Sequence, residues 1–91
     1  MEVRWSPEAA DDLEQIVAYV RRDKPEVARR VATMILKAVD ALRLFPNRGR
    51  IGRMDGTREL VLPALPWIAV YRIREEAVEV VRIYHGAQNW P

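Results

Sequence analysis

Residues 57–85 read TRELVLPALPWIAVYRIREEAVEVVRIYH, and the way this stretch divides decides the fold. Thr57–Pro63, Trp67–Arg74 and Ala77–His85 are rich in β-branched and aromatic residues and lack helical periodicity, so they read as three strands. Pro63 and Pro66 bracket the first connection. The second is Glu75-Glu76 alone, a tight turn without the Asn-Gly pair that such hairpins favour. Three strands joined this closely form an antiparallel meander.

Working upstream, PNRGRIGRMDG (46–56) holds three of the four glycines and reads as a loop. Before it lies a helix that Pro25 opens and Pro46 ends. Its main apolar stripe is Val31, Met34, Ile35, Ala38, Leu42 and Phe45, and Ala32, Leu36 and Val39 add a second apolar edge. An earlier helix, ending near Arg22, carries Leu13, Ile16, Val17 and Val20 at i, i+3, i+4, i+7. Ser6-Pro7 supplies its N-cap and first helical position, and Glu8, Asp11 and Asp12 suit the positive end of its dipole. Val3 and Trp5 alternate with polar residues as in a short first strand. Only a few residues separate the helices, so they form an antiparallel hairpin. The order β-α-α-β-β-β implies an α+β domain over residues 1–91, an antiparallel sheet packed on one face by the helical hairpin.

Composition narrows the function. A chain of 91 residues buries only about 60–65% of its unfolded surface, so its stability margin is thin. Cysteine is absent, which excludes disulfides and thiolate metal sites and makes a reducing cytoplasm the natural setting. The N-terminus has no basic segment followed by an apolar run, so no signal peptide is expected. Leu60–Tyr71 contains two prolines and is too short for a membrane helix of about 20 residues. Thirteen of the fifteen basic residues are arginine, and five of them fall between Arg43 and Arg58 against Asp55 alone. Arginine favours bidentate contacts to phosphate or carboxylate, so an anionic partner is expected for this half, nucleic acid or an acidic protein segment, the alternative being a solvated arginine-rich face.

Most catalytic arrangements fail. One histidine and no cysteine argue against a metal site, and no cofactor is implied. Ser6 is the sole serine and is used as a cap, so no serine triad forms. No P-loop is present. Gly49-Arg50-Ile51-Gly52 matches the GxxG clamp of KH domains, but that clamp joins two helices and this one leads from helix to strand. There remain Arg58, Arg82, Tyr84 and His85, whose chemistry suits metal-free RNA cleavage: a base, a phosphate clamp and an acid. Strand parity opposes the set, because Arg82 and Tyr84 share one face and His85 points to the other unless the strand bends at Gly86. A histidine that finishes a strand is ordinarily a hydrogen-bonded structural residue.

SPEAADDLEQI (6–16), LRLFPNRGRIG (42–52), GTRELVLP (56–63), WIAVYRI (67–73) and VEVVRIYHGAQNWP (78–91), in this order, resemble the RelE/ParE family of toxins from type II toxin–antitoxin modules. The resemblance implies the β-α-α-β-β-β fold, growth arrest by the freed toxin, a role in plasmid stabilisation, and an acidic or ribbon-helix-helix antitoxin encoded nearby. Members that cut mRNA on the ribosome carry YRLVY or HRLVY in the middle strand, where the arginine binds the phosphate. Here that position is Ile68, and the two lysines, Lys24 and Lys37, lie on helices. Loss of such a cation removes about 3–4 kcal/mol of transition-state stabilisation. The resemblance therefore leans to the ParE branch, whose members resemble non-enzymatic inhibitors of DNA gyrase. The alternative is a RelE-like, ribosome-dependent mRNA endoribonuclease using Arg58, Arg82, Tyr84 and His85. For target or antitoxin binding, the candidates are Arg48, Arg50, Arg53, Arg58, Ala32, Leu36, Val39 and Trp90.

Overall fold

The computed structural model describes residues 1–88 and 90; Asn89 and Pro91, from the VEVVRIYHGAQNWP segment, lie outside the described residues. The elements are β1 (Glu2–Trp5), α1 (Pro7–Asp23), α2 (Pro25–Asp40), a 3₁₀ turn (Ala41–Arg43), β2 (Arg50–Ile51), β3 (Arg58–Val61), β4 (Trp67–Arg74) and β5 (Ala77–His85). They form a five-stranded sheet in the order β1-β5-β4-β3-β2, with both helices over one face. The α+β class and the helical hairpin stand as expected.

The sheet is mixed instead of wholly antiparallel, because β1 runs parallel to β5. The reason is β2, two residues inside the glycine-rich segment that sequence reading left as loop. Each short connection reverses the chain. The added reversal at β2 brings β5 out in the same direction as β1, not opposite to it. Beyond Trp5, β1 ends and the edge of β5 is taken over by α1. Ser6 N–H donates to the Val80 carbonyl at 3.0 Å, and Ser6 Oγ donates to the Val81 carbonyl at 2.9 Å. The same Oγ accepts from Ala9 N–H at 3.0 Å, the expected N-cap. One serine thus starts the helix and stitches it to the last strand.

The core lies between the hairpin and the sheet, with Ile35, Val39, Leu42, Tyr71, Val78 and Val80 fully buried. Two sequence assignments on α2 need correction. Val39, placed on the exposed second edge, is only 1% exposed, because it continues the Val31–Ile35 stripe at four-residue spacing. Phe45, placed in the buried stripe, is 54% exposed. The helix ends at Asp40, and the tighter turn after it rotates Leu44 and Phe45 off the core face. Ala32 is half-buried and Leu36 is exposed, as an unpartnered edge requires.

Candidate functional site

The four nuclease candidates do not converge. Arg58 pairs in register with Tyr71 of β4, whereas His85 pairs with Trp67, four residues along. That offset alone is about 13 Å at strand rise. Arg58 is also committed: its Nη1 donates to the carbonyls of Gly49 at 2.8 Å and Asn47 at 3.4 Å, fastening the loop after α2.

Arg82, Tyr84 and His85 do border one cleft of about 710 Å³, between α1 and the C-terminal end of β5, with Tyr19, Trp67 and Trp90 among its walls. Parity along β5 is broken at Val81, where the register slips so that Val70 faces Arg82 and Tyr71 faces Val80. Past this bulge Ile83 joins the helix-side core, and Tyr84 joins Ile68, Val70 and Val81 on the opposite face. His85 meets the edge of Trp67 at 6.2 Å.

Arg82, Tyr84 and His85 each make contacts within the molecule. Arg82 forks onto Asp12, Nε to Oδ2 at 2.8 Å and Nη2 to Oδ1 at 3.1 Å. The Asp12 hydrogen bond holds this guanidinium above its ordinary range, against the opposing effect of burial. Asp12 Oδ2 also accepts from Ile83 N–H at 2.9 Å, so it covers the strand edge that β1 leaves open. Tyr84 lies beneath the Trp90 indole, ring centres 5.4 Å apart and planes 17° from parallel. His85 fastens the turn that ends β5. Its Nδ1 accepts from Ala87 N–H at 3.0 Å, its carbonyl from Gln88 N–H at 2.9 Å, and its own N–H donates to Gln88 Oε1 at 2.8 Å. An accepting Nδ1 places the imidazole proton on Nε2. Ile68, the position of the nuclease arginine, is buried with Tyr84 and Trp90 in the apolar cluster on this face.

The arginine-rich segment 43–58 is braced from within. Glu59, 3% exposed, accepts from Arg50 Nε and Nη2 at 3.1 and 3.0 Å and from Arg53 N–H at 3.2 Å. Burial alone would raise the Glu59 carboxyl, but the Arg53 amide and the Arg50 guanidinium outweigh it and hold the group below the ordinary glutamate range. Arg53 Nη1 donates to the Trp90 carbonyl at 3.2 Å. Arg48 lies over the exposed Phe45 ring at 4.8 Å. Of the binding candidates, Arg48 and Leu36 thus stay open to a partner, Arg50, Arg53 and Arg58 brace the loop, and Val39 is core. Sequence reading missed Asp12, Tyr19, Glu59 and Tyr71. Asp12, Ile16 and Tyr19 do share the spacing of one helix face, and that was the available signal.

A helical hairpin over one face of a five-stranded mixed sheet in the order β1-β5-β4-β3-β2 defines a RelE/ParE-class toxin fold. The family described as "ParE toxin of type II toxin-antitoxin system, parDE" matches residues 3–90. The putative toxin Y4kP of Sinorhizobium fredii is 45% identical over 98% of this chain and 92% of its own length. Toxin RelE2 of Caulobacter vibrioides is 32% identical over 96% of this chain and 97% of its own. Among solved structures, the chromosomal ParDE toxin–antitoxin system of P. aeruginosa superposes with a TM-score of 0.88 at 28% identity, covering 93% of this chain and 95% of that one. RelBE2 of Mycobacterium tuberculosis shares the fold with a TM-score of 0.64 at 23% identity, covering 92% and 95%. The chain belongs to the ParE toxin family of type II toxin–antitoxin systems.

Proposed function

We propose that this toxin, a single domain acting in the cytoplasm, arrests growth by binding DNA gyrase and does no chemistry itself, and that a cognate antitoxin neutralises it. The observation that carries the reading is Ile68. It lies in a buried apolar cluster with Tyr84 and Trp90 where an RNA-cutting relative needs a cation, and Arg82 is committed to Asp12. A phosphoryl-transfer site needs charge aimed at the phosphate. Binding needs only surface. The fit to a ParDE system supports the same branch. The antitoxin surface of this reading is the corner formed by Leu44, Phe45 and Arg48, where apolar side chains stand exposed beside a cation. It suits an acidic, amphipathic segment.

A second reading, a ribosome-dependent mRNA endoribonuclease, draws on relatives named RelE1 and RelE2 and on the shared cleft of Arg82, Tyr84 and His85. The freed toxin is expected to inhibit gyrase supercoiling and to leave mRNA intact in primer extension, with both results retained in His85→Gln. Site-specific mRNA cuts that vanish in His85→Gln, at unchanged melting temperature, would establish the nuclease instead.

A further inference from the structure

The unpaired edges of a sheet are where further chain can add to it, and this sheet ends in β2 on one side and β1 on the other. β2 is two residues long and is closed off by Gly52, whose N–H donates to the Thr57 carbonyl at 2.8 Å. β1 is four residues long and has no lysine, proline or bulge to blunt it. Its backbone parity follows from Ser6, whose N–H donates inward to the Val80 carbonyl. Backbone groups alternate sides along an extended chain, so Glu2 and Arg4 bond to β5, while Val3 and Trp5 turn N–H and C=O outward. No group among the described residues bonds to those outward atoms. An open groove of about 430 Å³, walled by Glu2, Val3, Asp40 and Arg43, runs beside them.

The exposed side chains of this edge complement themselves in charge. Val3 and Trp5 pack against the core, so Glu2 and Arg4 point to the face away from the helices. They pair with each other at 3.3 Å, with 65% and 49% of their side-chain surface in water. Glu79, opposite Arg4 on β5, is held by Arg72 at 2.7 Å. When two β1 strands meet antiparallel about a two-fold axis, only an axis at a residue matches outward groups with outward groups. An axis at Glu2 or Arg4 sets like charges directly opposite, which destabilises. An axis at Trp5 runs Val3 into Pro7, where the strand has ended and no N–H is present. An axis at Val3 lets the two copies of Val3 exchange both backbone bonds. It also sets each Glu2 against an Arg4 in the closer type of antiparallel pair, Cα atoms about 4.5 Å apart. Charge and parity select one register.

We propose that β1 is a self-association edge, at which two copies of this chain pair antiparallel about Val3 and join their sheets into one. The axis stands perpendicular to the sheet, so both helical hairpins lie on one side and both open faces on the other. The contact is isologous and closes on itself, giving a dimer and no filament. Two short strands bury little surface, so the dimer is weak, with a Kd on the order of 100 µM. It forms whether the freed toxin binds gyrase or cuts mRNA.

Sedimentation velocity of the toxin without antitoxin, from about 20 µM to about 1 mM, reads the dimer directly. Glu2→Arg and Arg4→Glu should each weaken self-association about tenfold or more at unchanged melting temperature, because each sets like charges across the axis. Mixing the two variants should restore the dimer, since every cross-strand pair is then opposite again. The double variant should dimerise as the wild type does. Amide exchange reads the register: the Val3 N–H should slow as concentration rises, whereas the Arg4 N–H, bonded to β5, is protected throughout. A toxin that stays monomeric at about 1 mM would overturn the proposal. So would a dimer indifferent to both charge variants, or one in which Val3 exchanges at the same rate at every concentration. Protection of Val3 that appears only with antitoxin present would overturn it too, since the edge would then take an antitoxin strand.

Discussion

Tyr71 and Gly49 show how single residues set the loop that carries the arginines. The Tyr71 hydroxyl, buried in the core, donates to the Pro46 carbonyl at 2.6 Å and accepts from Gly49 N–H at 2.9 Å. A Cβ on Gly49 would sit 2.7 Å from Tyr71 Cε1 and 3.0 Å from the Glu59 carbonyl. The glycine is needed for close approach, which explains half of the GxxG pattern without any nucleic acid. Gly49→Ala should therefore cost about 1–3 kcal/mol, the usual penalty of overpacking, read as a lower urea midpoint. Glu59 offers a pH test. Its carboxyl titrates lower folded than unfolded, so its contribution is complete above the ordinary glutamate value of about 4.3 and is lost as pH falls through the lower folded value. Glu59→Gln should be less stable near neutrality, and its stability should fall less steeply below about pH 4.3. Urea melts that differ from wild type by the same offset at every pH would exclude this.

At the scale of elements, the β4–β5 hairpin carries a correctable strain. Glu75 and Glu76 have φ of 52° and 60°, the paired left-handed conformation of a type I′ turn. For side chains with a Cβ this conformation costs about 1–2 kcal/mol per residue, and the two carboxylates are adjacent as well. Glu75→Asn with Glu76→Gly should raise stability by about 1 kcal/mol or more, which for a domain of this size is about 4–8 °C in Tm. An unchanged melting temperature would mean that the strain is relieved elsewhere in the hairpin. The turn position was legible in the sequence, since two residues between strands leave no other geometry. The end of α2 was not, because a switch from α to 3₁₀ winding at Ala41 changes no residue type, only the phase of the side chains beyond it.

For the whole molecule, the distribution of charge predicts the response to a partner. Beside the exposed Leu44 and Phe45 the corner keeps Arg48. A cognate antitoxin at about 100 times its Kd should add about 2.7 kcal/mol to stability. That corresponds to a rise in Tm on the order of 10–20 °C. Arg48→Glu should weaken that complex at least tenfold, and Arg29→Ala, an exposed helix-face change, should have little effect. No shift in the thermal melt at saturating antitoxin would remove the corner as its binding surface.

What the sequence alone determined is what local physics encodes. Ser6-Pro7 set a helix start, period-3.6 stripes set two helices, and β-branched runs broken by Pro63, Pro66 and Glu75-Glu76 set three strands. Ile68 was legible too, because an apolar side chain cannot clamp phosphate wherever it lies. Tertiary structure alone decided the rest. The direction of β1 depended on β2, a strand of two residues that exists only because β3 is there to pair with it. The standing of each arginine depended on which carboxylate the fold brought within reach: Asp12 for Arg82, Glu59 for Arg50. Those partners lie 70 and 9 residues away in the chain. Charge pairing at such separations arises from packing, and no periodicity records it.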